Sequence, residues 1–244
     1  MASGIWRQWA KKPEVEGTLV KRAHGNLPEM ESTKQLVKLI SEFYQPGMKV
    51  LDVGCNVGHY LRGLRRIDAV LDYTGVDATA FYIEQASDIF KDDPHANFEV
   101  RDILEPLFPD DSFDIVYCCN VILHLPDFRV PVRNLLASTK KVCLIRTLLA
   151  DKSTVAMAAE TQDFDDNGMP REFVYQNTWQ CDYFAGYINS LGWQVEFIED
   201  EFNPDILSQE HQDLKKGEGT RIFGGQQISG NVVFNWKWAK ITPA

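Results

Sequence analysis

The chain reads as an α/β protein: a doubly wound, mostly parallel seven-stranded sheet with helices on both faces. Three observations predict this. From about residue 30, short apolar runs alternate with helical patterns, the mark of βαβ units and a parallel sheet. The first buried run, Lys49 to Val53, passes directly into a turn with glycines at 54 and 58 and then into a helical pattern, which is the geometry of a nucleotide site. Finally, 244 residues suit one generous domain with elaborations better than two domains.

The elements follow in order. Glu31 to Tyr44 places Leu36, Val37, Leu39, Ile40 and Phe43 at helical spacing, and Pro46-Gly47 ends that helix. Strands are predicted at Lys49 to Val53, Tyr73 to Val76, Phe98 to Val100, Phe113 to Cys119 and Lys141 to Leu148. Between them the pattern predicts helices at about His59 to Arg66, Thr79 to Phe90 and Val130 to Ser138. The tail adds a helix from Trp179 to Ser190 and strands at Gln194 to Ile198 and Asn231 to Ile241, joined by a long polar connection from Glu199 to Gly230. Residues 1–30 are expected to form a lid segment, and residues 31–244 the domain. Ala150 to Gln176 lacks a period and is rich in acids and aromatics, so it is expected to be a cap inserted after the fifth strand. In an open α/β sheet the site lies beyond the carboxyl ends of the strands, where the strand order reverses.

Composition narrows the function. Hydrophobic residues at 44% and charged residues at 25% are globular proportions. With 25 basic and 35 acidic residues the net charge is −10, which disfavours a broad electrostatic grip on nucleic acid or anionic lipid. The five cysteines, Cys55, Cys118, Cys119, Cys143 and Cys181, are odd in number and form no CxxC pair, so no disulfide framework is expected. Met1 to Pro13 has no apolar core of a secretory signal, and no run approaches a membrane span. The expectation is a cytoplasmic protein, a monomer or homodimer, with no nucleic-acid or membrane partner.

The turn itself is more specific. A dinucleotide fingerprint requires glycine at 54, 56 and 59, whereas the chain has Gly54, Asn56 and His59. NAD and FAD are therefore disfavoured. A P-loop fails too, because His59 and Tyr60 follow Gly58 where lysine and a hydroxyl residue belong. What remains is a glycine turn without phosphate machinery, preceded by Asp52.

This stretch, Val50 to Tyr60, resembles the first motif of the class I S-adenosylmethionine-dependent methyltransferases, and the resemblance extends over roughly Met48 to Leu149. Further pieces recur in order: Asp77 closing the second strand, Val100-Arg101-Asp102-Ile103 ending the third, and Asp111 to Tyr117 followed by Cys118 to Pro126 around the fourth. The last of these resembles the small-molecule members. The resemblance implies a small-molecule methyl acceptor and S-adenosyl-L-methionine held by Asp52, Gly54, Cys55, Asn56, Gly58, Asp77, Ala78, Asp102, Ile103 and Asn120. Within it, Asp77 accepts the ribose hydroxyls, or else only caps a helix; Asp102 meets the adenine amino group, or else only closes a turn. Gly54 brings the backbone close to the methionine portion, Gly58 packs helix on strand, and Asn56 tolerates left-handed angles. Asp52 orients the loop or the cosubstrate ammonium.

Methyl transfer asks the protein to align a nucleophile, exclude water and, for an alcohol or ammonium, supply a base. His124, just beyond the fourth strand, is the nearest base candidate, against a packing role. Arg146, charged within an apolar run, either holds a substrate anion or sits in a structural ion pair. Asp151 is a second base candidate. His59, Tyr60 and Phe81 are candidates for the pocket wall or for plain packing. The Asn-Pro-Pro-Tyr signature is absent after the fourth strand, where Asn120 precedes Val121-Ile122-Leu123, which lowers nucleobase and glutamine targets. Asp163 to Gly168 fits the opening of a calcium loop but has Val174 where the bidentate glutamate belongs, so no metal is expected. The best reading is transfer to an oxygen or nitrogen of a carbohydrate or specialised metabolite. The alternatives are a protein or RNA methyltransferase and a non-catalytic binding subunit.

Overall fold

A computed structural model describes residues 13–159, 164–171, 173–202, 221–223, 226–229 and 232–244. Helices α1 (Pro13–Ala23) and α2 (Glu31–Ser41) precede strand β1 (Lys49–Val53), the one-turn helix α3 (Leu61–Leu64) and β2 (Asp72–Asp77). Helix α4 (Ala80–Ile89) leads to β3 (Ala96–Val100) and β4 (Phe113–Cys119). A single 3-10 turn at Ile122–His124 comes before α5 (Arg129–Ala137) and β5 (Thr139–Ala150). Then follow β6 (Met157–Ala158), β7 (Val174–Tyr175), β8 (Trp179–Gln180), α6 (Cys181–Ser190) and β9 (Trp193–Glu199). The tail holds β10 (Arg221–Phe223), β11 (Gln226–Ser229), β12 (Val232–Phe234) and β13 (Trp236–Pro243).

The main sheet runs β3-β2-β1-β4-β5-β13-β9, with β8 paired alongside the end of β5. The first five strands are parallel, whereas β13 is antiparallel to both β5 and β9. The expected architecture is therefore the observed one. Strand order reverses between β1 and β4, so their carboxyl ends open a crevice there.

Period-two alternation sorts side chains to the two faces. Leu51, Val116, Cys118 and Ile145 pack against α5 and α6 through Val132, Leu135, Phe184 and Ile188. On the other face Val50, Tyr73, Tyr117, Leu144 and Trp238 pack against α2 and α3 through Leu36, Ile40, Leu61 and Leu64. Fully burying an aliphatic side chain of this size is worth about 1.5–3 kcal/mol, so both sandwiched layers hold the strand ends in register.

Several elements differ from expectation by more than a residue or two at their ends. The helix predicted at His59 to Arg66 shrinks to α3, because the chain around it closes 3-10 bonds, Leu61 N–H to Gly58 O and Gly63 N–H to Tyr60 O, each at 3.0 Å. Gly63 sits in its middle so that α2 can approach: a Cβ there would lie 2.7 Å from Thr33 Cγ2. Trp179 and Gln180 pair with Leu149 and Ala150 as β8, so that helix starts only at Cys181. The strand predicted over Asn231 to Ile241 breaks at Asn235, whose carbonyl accepts from Leu149 N–H at 3.0 Å. Beyond the break, β12 joins β10 and β11 in a separate antiparallel sheet, and these last two strands fall in the stretch read as a polar connection.

The aperiodic stretch after β5 carries the β6–β7 pair and the bridge Thr154 to Thr178. Asp163 lies outside the described residues. Asp165 Oδ1 accepts the N–H groups of Asn167 and Met169, at 2.9 and 2.8 Å, and so closes a polar turn. No helix among the described residues is long and apolar enough to cross a membrane.

Candidate active site

At the carboxyl ends of β1, β2, β3 and β4 lies a cavity of about 340 Å³. Gly54, Asn56, Asp77, Ala78, Asp102, Ile103, Asn120 and His124 line it, together with His59, Tyr60, Leu19 and Met30. The motifs after four different strands thus converge on one space.

The turn after β1 is built from left-handed residues. Gly54, Asn56 and Gly58 have φ of 79°, 50° and 73°, and Asn56 supports its own conformation by accepting Val57 N–H on Oδ1 at 2.8 Å. A Cβ on Gly54 would lie 2.2 Å from Val121 Cγ2, so glycine here is what lets the β1 and β4 loops meet. Gly58 lies against Phe98 and Phe90, where a Cβ would come within 2.9 and 3.0 Å. It packs the turn on β3 and α4 and takes no part in the cavity wall.

Asp77 ends β2 at the rim, where Oδ2 accepts Asn56 N–H at 3.0 Å and Oδ1 accepts Thr79 N–H at 2.9 Å. The carboxylate therefore ties the glycine turn to the start of α4 while still facing the cavity. Burial raises its pKa, and the two N–H donors oppose that shift. Asp102 likewise faces the cavity and also closes a turn, accepting Leu104 N–H at 2.9 Å.

Asp52 and Cys55 do not reach the cavity wall. Asp52 is 1% exposed beneath the turn, and Tyr73 donates to its Oδ2 at 2.8 Å. Burial pushes its carboxyl up to about 7 despite the hydrogen bond from Tyr73. This acid therefore supports the loop from below. Cys55 is buried, its backbone N–H goes to Val76 O at 3.0 Å, and its thiol is pushed up by burial. It is a packing residue, because neither its amide nor its sulfur meets the cavity.

The three proposed catalytic side chains separate. His124 lines the cavity, and its Nδ1 lies 2.7 Å from Tyr175 O. A carbonyl only accepts, so Nδ1 carries a proton and donates it to Tyr175 O. Arg146 is only 6% exposed and clamps Asp200 bidentately, at 2.7 and 2.8 Å, while Nη1 donates to Asn120 Oδ1. Burial disfavours its charge, but Asp200 outweighs this and holds the guanidinium above its ordinary value. It lies over Trp236, 4.1 Å from the ring centre, and is a structural ion pair that fixes Asn120. Asp151 is exposed at the end of β5 and lies off the cavity.

Sequence patterns missed Asn177. It is fully buried, donates through Nδ2 to Leu125 O at 2.9 Å and through its backbone N–H to Leu123 O at 2.8 Å, and accepts Ala156 N–H at 3.1 Å. One side chain thereby fastens the segment after β5 to the 3-10 turn that bears His124. An asparagine outside any motif carries no periodic signal for this. Asp200, the counter-ion of Arg146, was missed for the same reason. Of the aromatic candidates, Phe81 is exposed and outside the lining. Trp179 and Phe184 pack on Phe128.

The family model described as a methyltransferase domain matches residues 27–196, well over half of the chain, and the chain belongs to that family. Among curated relatives it is 30% identical over 128 residues to 2-methyl-6-phytyl-1,4-hydroquinone methyltransferase of Synechocystis, a match covering 52% of this chain and 36% of that protein. It is 34% identical over 101 residues to phosphoethanolamine N-methyltransferase 3 of Arabidopsis thaliana, covering 40% and 20%. The matched stretches thus span about a third or less of those relatives. Among solved structures, an S-adenosylmethionine-dependent methyltransferase from Methanosarcina mazei aligns with a TM-score of 0.56 at 13% identity, over 84% of this chain and 96% of that one. Magnesium protoporphyrin IX methyltransferase from Synechocystis, solved with bound S-adenosylhomocysteine, aligns at 0.54 and 13%, over 88% and 83%. At these identities the likeness is one of fold, the Rossmann-like methyltransferase architecture.

Proposed function

We propose that the chain transfers a methyl group from S-adenosyl-L-methionine to an oxygen or nitrogen of a small molecule. One observation carries this reading: the Gly54 turn, Asp77, Asp102 and His124 border a single cavity. The residues fit the cosubstrate. Asp77 is a cavity-facing carboxylate suited to two ribose hydroxyls, and Asp102 and Ile103 stand where an adenine ring would rest. When bound, S-adenosylmethionine supplies an electrophilic methyl on its sulfonium.

The protein's own part is alignment, exclusion of water and handling of one proton. His124 accepts the acceptor's proton on Nε2, and Tyr175 O steadies the resulting imidazolium through Nδ1–H. Leu19 of the N-terminal helix and Met30 close one side of the cavity with apolar surface, which is a lid's task. The segment after β5 holds His124 through Asn177 and Tyr175. The five cysteines stand as free thiols, in keeping with a cytoplasmic setting.

Calorimetry on the full chain tests the reading. S-adenosylhomocysteine should bind, and Asp77→Ala should weaken it by about 1.5–3 kcal/mol, the worth of hydrogen bonds to a charged group. Absence of heat with the parent protein sinks the assignment, and an Asp77→Ala variant that titrates like the parent removes Asp77 from the ribose.

A further inference from the structure

The glycine turn spends its backbone donors inside the protein. Gly54 and Cys55 N–H both go to Val76 O, Asn56 N–H to Asp77 Oδ2, Val57 N–H to Asn56 Oδ1 and Gly58 N–H to Cys55 O, at 2.7 to 3.0 Å. A carboxylate lying over residues 54–58 therefore takes its hydrogen bonds from elsewhere.

The neighbouring loop offers a donor. Asn120, at the carboxyl end of β4, lines the cavity, and the next residue, Val121, lies directly against Gly54. Arg146 holds Asn120 at two points. Asn120 N–H donates to Arg146 O at 3.0 Å, and Asn120 Oδ1 accepts from Arg146 Nη1. A guanidinium only donates, so this contact fixes which end of the amide is oxygen. Arg146 is buried and outside the cavity lining, so the edge of the amide turned away from it, the Nδ2 donor, is the one on the cavity side. A positive charge at the carbonyl end polarises the amide and strengthens that donor. The guanidinium is itself fixed. Asp200 takes Nε and Nη2 at 2.7 and 2.8 Å, which leaves Nη1 for Asn120, and the Trp236 ring centre lies 4.1 Å away.

We propose that Asn120 Nδ2 donates to the carboxylate of the cosubstrate's amino-acid portion, and that Arg146 and Asp200 are positioning residues that aim it. This rests on the methyltransferase reading and goes beyond it by assigning the cosubstrate's anionic end and by giving a buried ion pair outside the cavity a part in binding. With the ribose at Asp77 and the adenine beside Asp102, the amino-acid portion falls between the Gly54 turn and Asn120. That portion carries an ammonium and a carboxylate, and an N–H donor serves only the carboxylate.

The test is calorimetric titration of the full chain with S-adenosylhomocysteine and with its decarboxylated analogue, which keeps the adenosine, the sulfur and the amine. The parent should prefer S-adenosylhomocysteine by about tenfold or more, the fold-change expected of hydrogen bonds to a charged group. Asn120→Asp keeps an oxygen for Arg146 but loses the donor, so the preference should vanish while the analogue binds at least as tightly as it does to the parent. Asp200→Asn should reduce the preference several-fold, and Asp200→Glu, which retains the counter-charge, should restore most of it. Both are titrated at a temperature where their unfolding curves show them folded. The proposal is overturned if the parent does not distinguish the two ligands, or if the preference survives Asn120→Asp. It is also overturned if both ligands weaken alike in Asn120→Asp, because the residue then serves the adenosine or the fold. A preference lost in Asn120→Asp but intact in Asp200→Asn overturns the positioning role of the ion pair. Failure of S-adenosylhomocysteine to bind the parent protein refutes the methyltransferase reading instead.

Discussion

Replacing Asp52 by asparagine should make the protein more stable above neutrality and flatten its response to pH. The folded carboxyl keeps its proton up to about pH 7, against an ordinary value of 3.8, because it is buried beneath the glycine turn. Between these values the unfolded state binds fewer protons than the folded one, so stability falls as pH rises. The slope is about 1.4 kcal/mol per pH unit, and the decline ends above the folded value. Over the whole interval the loss is about 4 kcal/mol. Asparagine does not titrate and still offers an oxygen to the Tyr73 hydroxyl, which donates to Oδ2 at 2.8 Å in the parent. Urea unfolding of parent and Asp52→Asn at pH 5 and pH 8 is the assay. The parent should lose about 3 kcal/mol relative to the variant between the two, since titration stops near 7. Parallel stabilities at both pH values would show that Asp52 is already ionised in the fold and that burial does not govern it.

Two further outcomes follow from the packing. Gly54→Ala forces an alanine to φ of 79° with Val121 Cγ2 2.2 Å from its Cβ, so unfolding measurements should show a loss of about 2–5 kcal/mol from left-handed strain and overpacking together; an unchanged midpoint would refute the close approach of the β1 and β4 loops. Asp200→Asn leaves Arg146 buried without its counter-charge and should cost about 3–5 kcal/mol in the same assay, whereas an effect within experimental scatter would mean that Asn120 alone suffices to hold the guanidinium.

The sheet and the part of the cavity bordered by the ends of β1, β2 and β3 were legible in the sequence because their information is local. Strand β1, the left-handed positions at 54, 56 and 58, and the acids after β2 and β3 occupy consecutive short stretches whose residue types are dictated by backbone conformation and strand ends. The same locality explains the successful reading of Asn56, a residue that tolerates positive φ and is found there at 50°. Short apolar runs likewise announced β1 to β5, β9 and β13, though not the short strands between them.

Partnership across the chain could not be read this way. Arg146 stood out as a charge in an apolar run, but only folding brought it to Asp200, 54 residues away, and so settled it as an ion pair. Asp52 and Cys55 belong to the motif in sequence yet face the core, since strand alternation and the turn's own hydrogen bonds direct them away from the cavity. His124 gained the acceptor of its Nδ1 proton from Tyr175, 51 residues later, and the 3-10 turn that bears it gained its anchor from Asn177. Residue type and local spacing determine backbone conformation, so they yielded the frame of the site. The protonation and direction of a side chain depend on whichever distant groups share its desolvated surroundings, and that was decided by the tertiary structure alone.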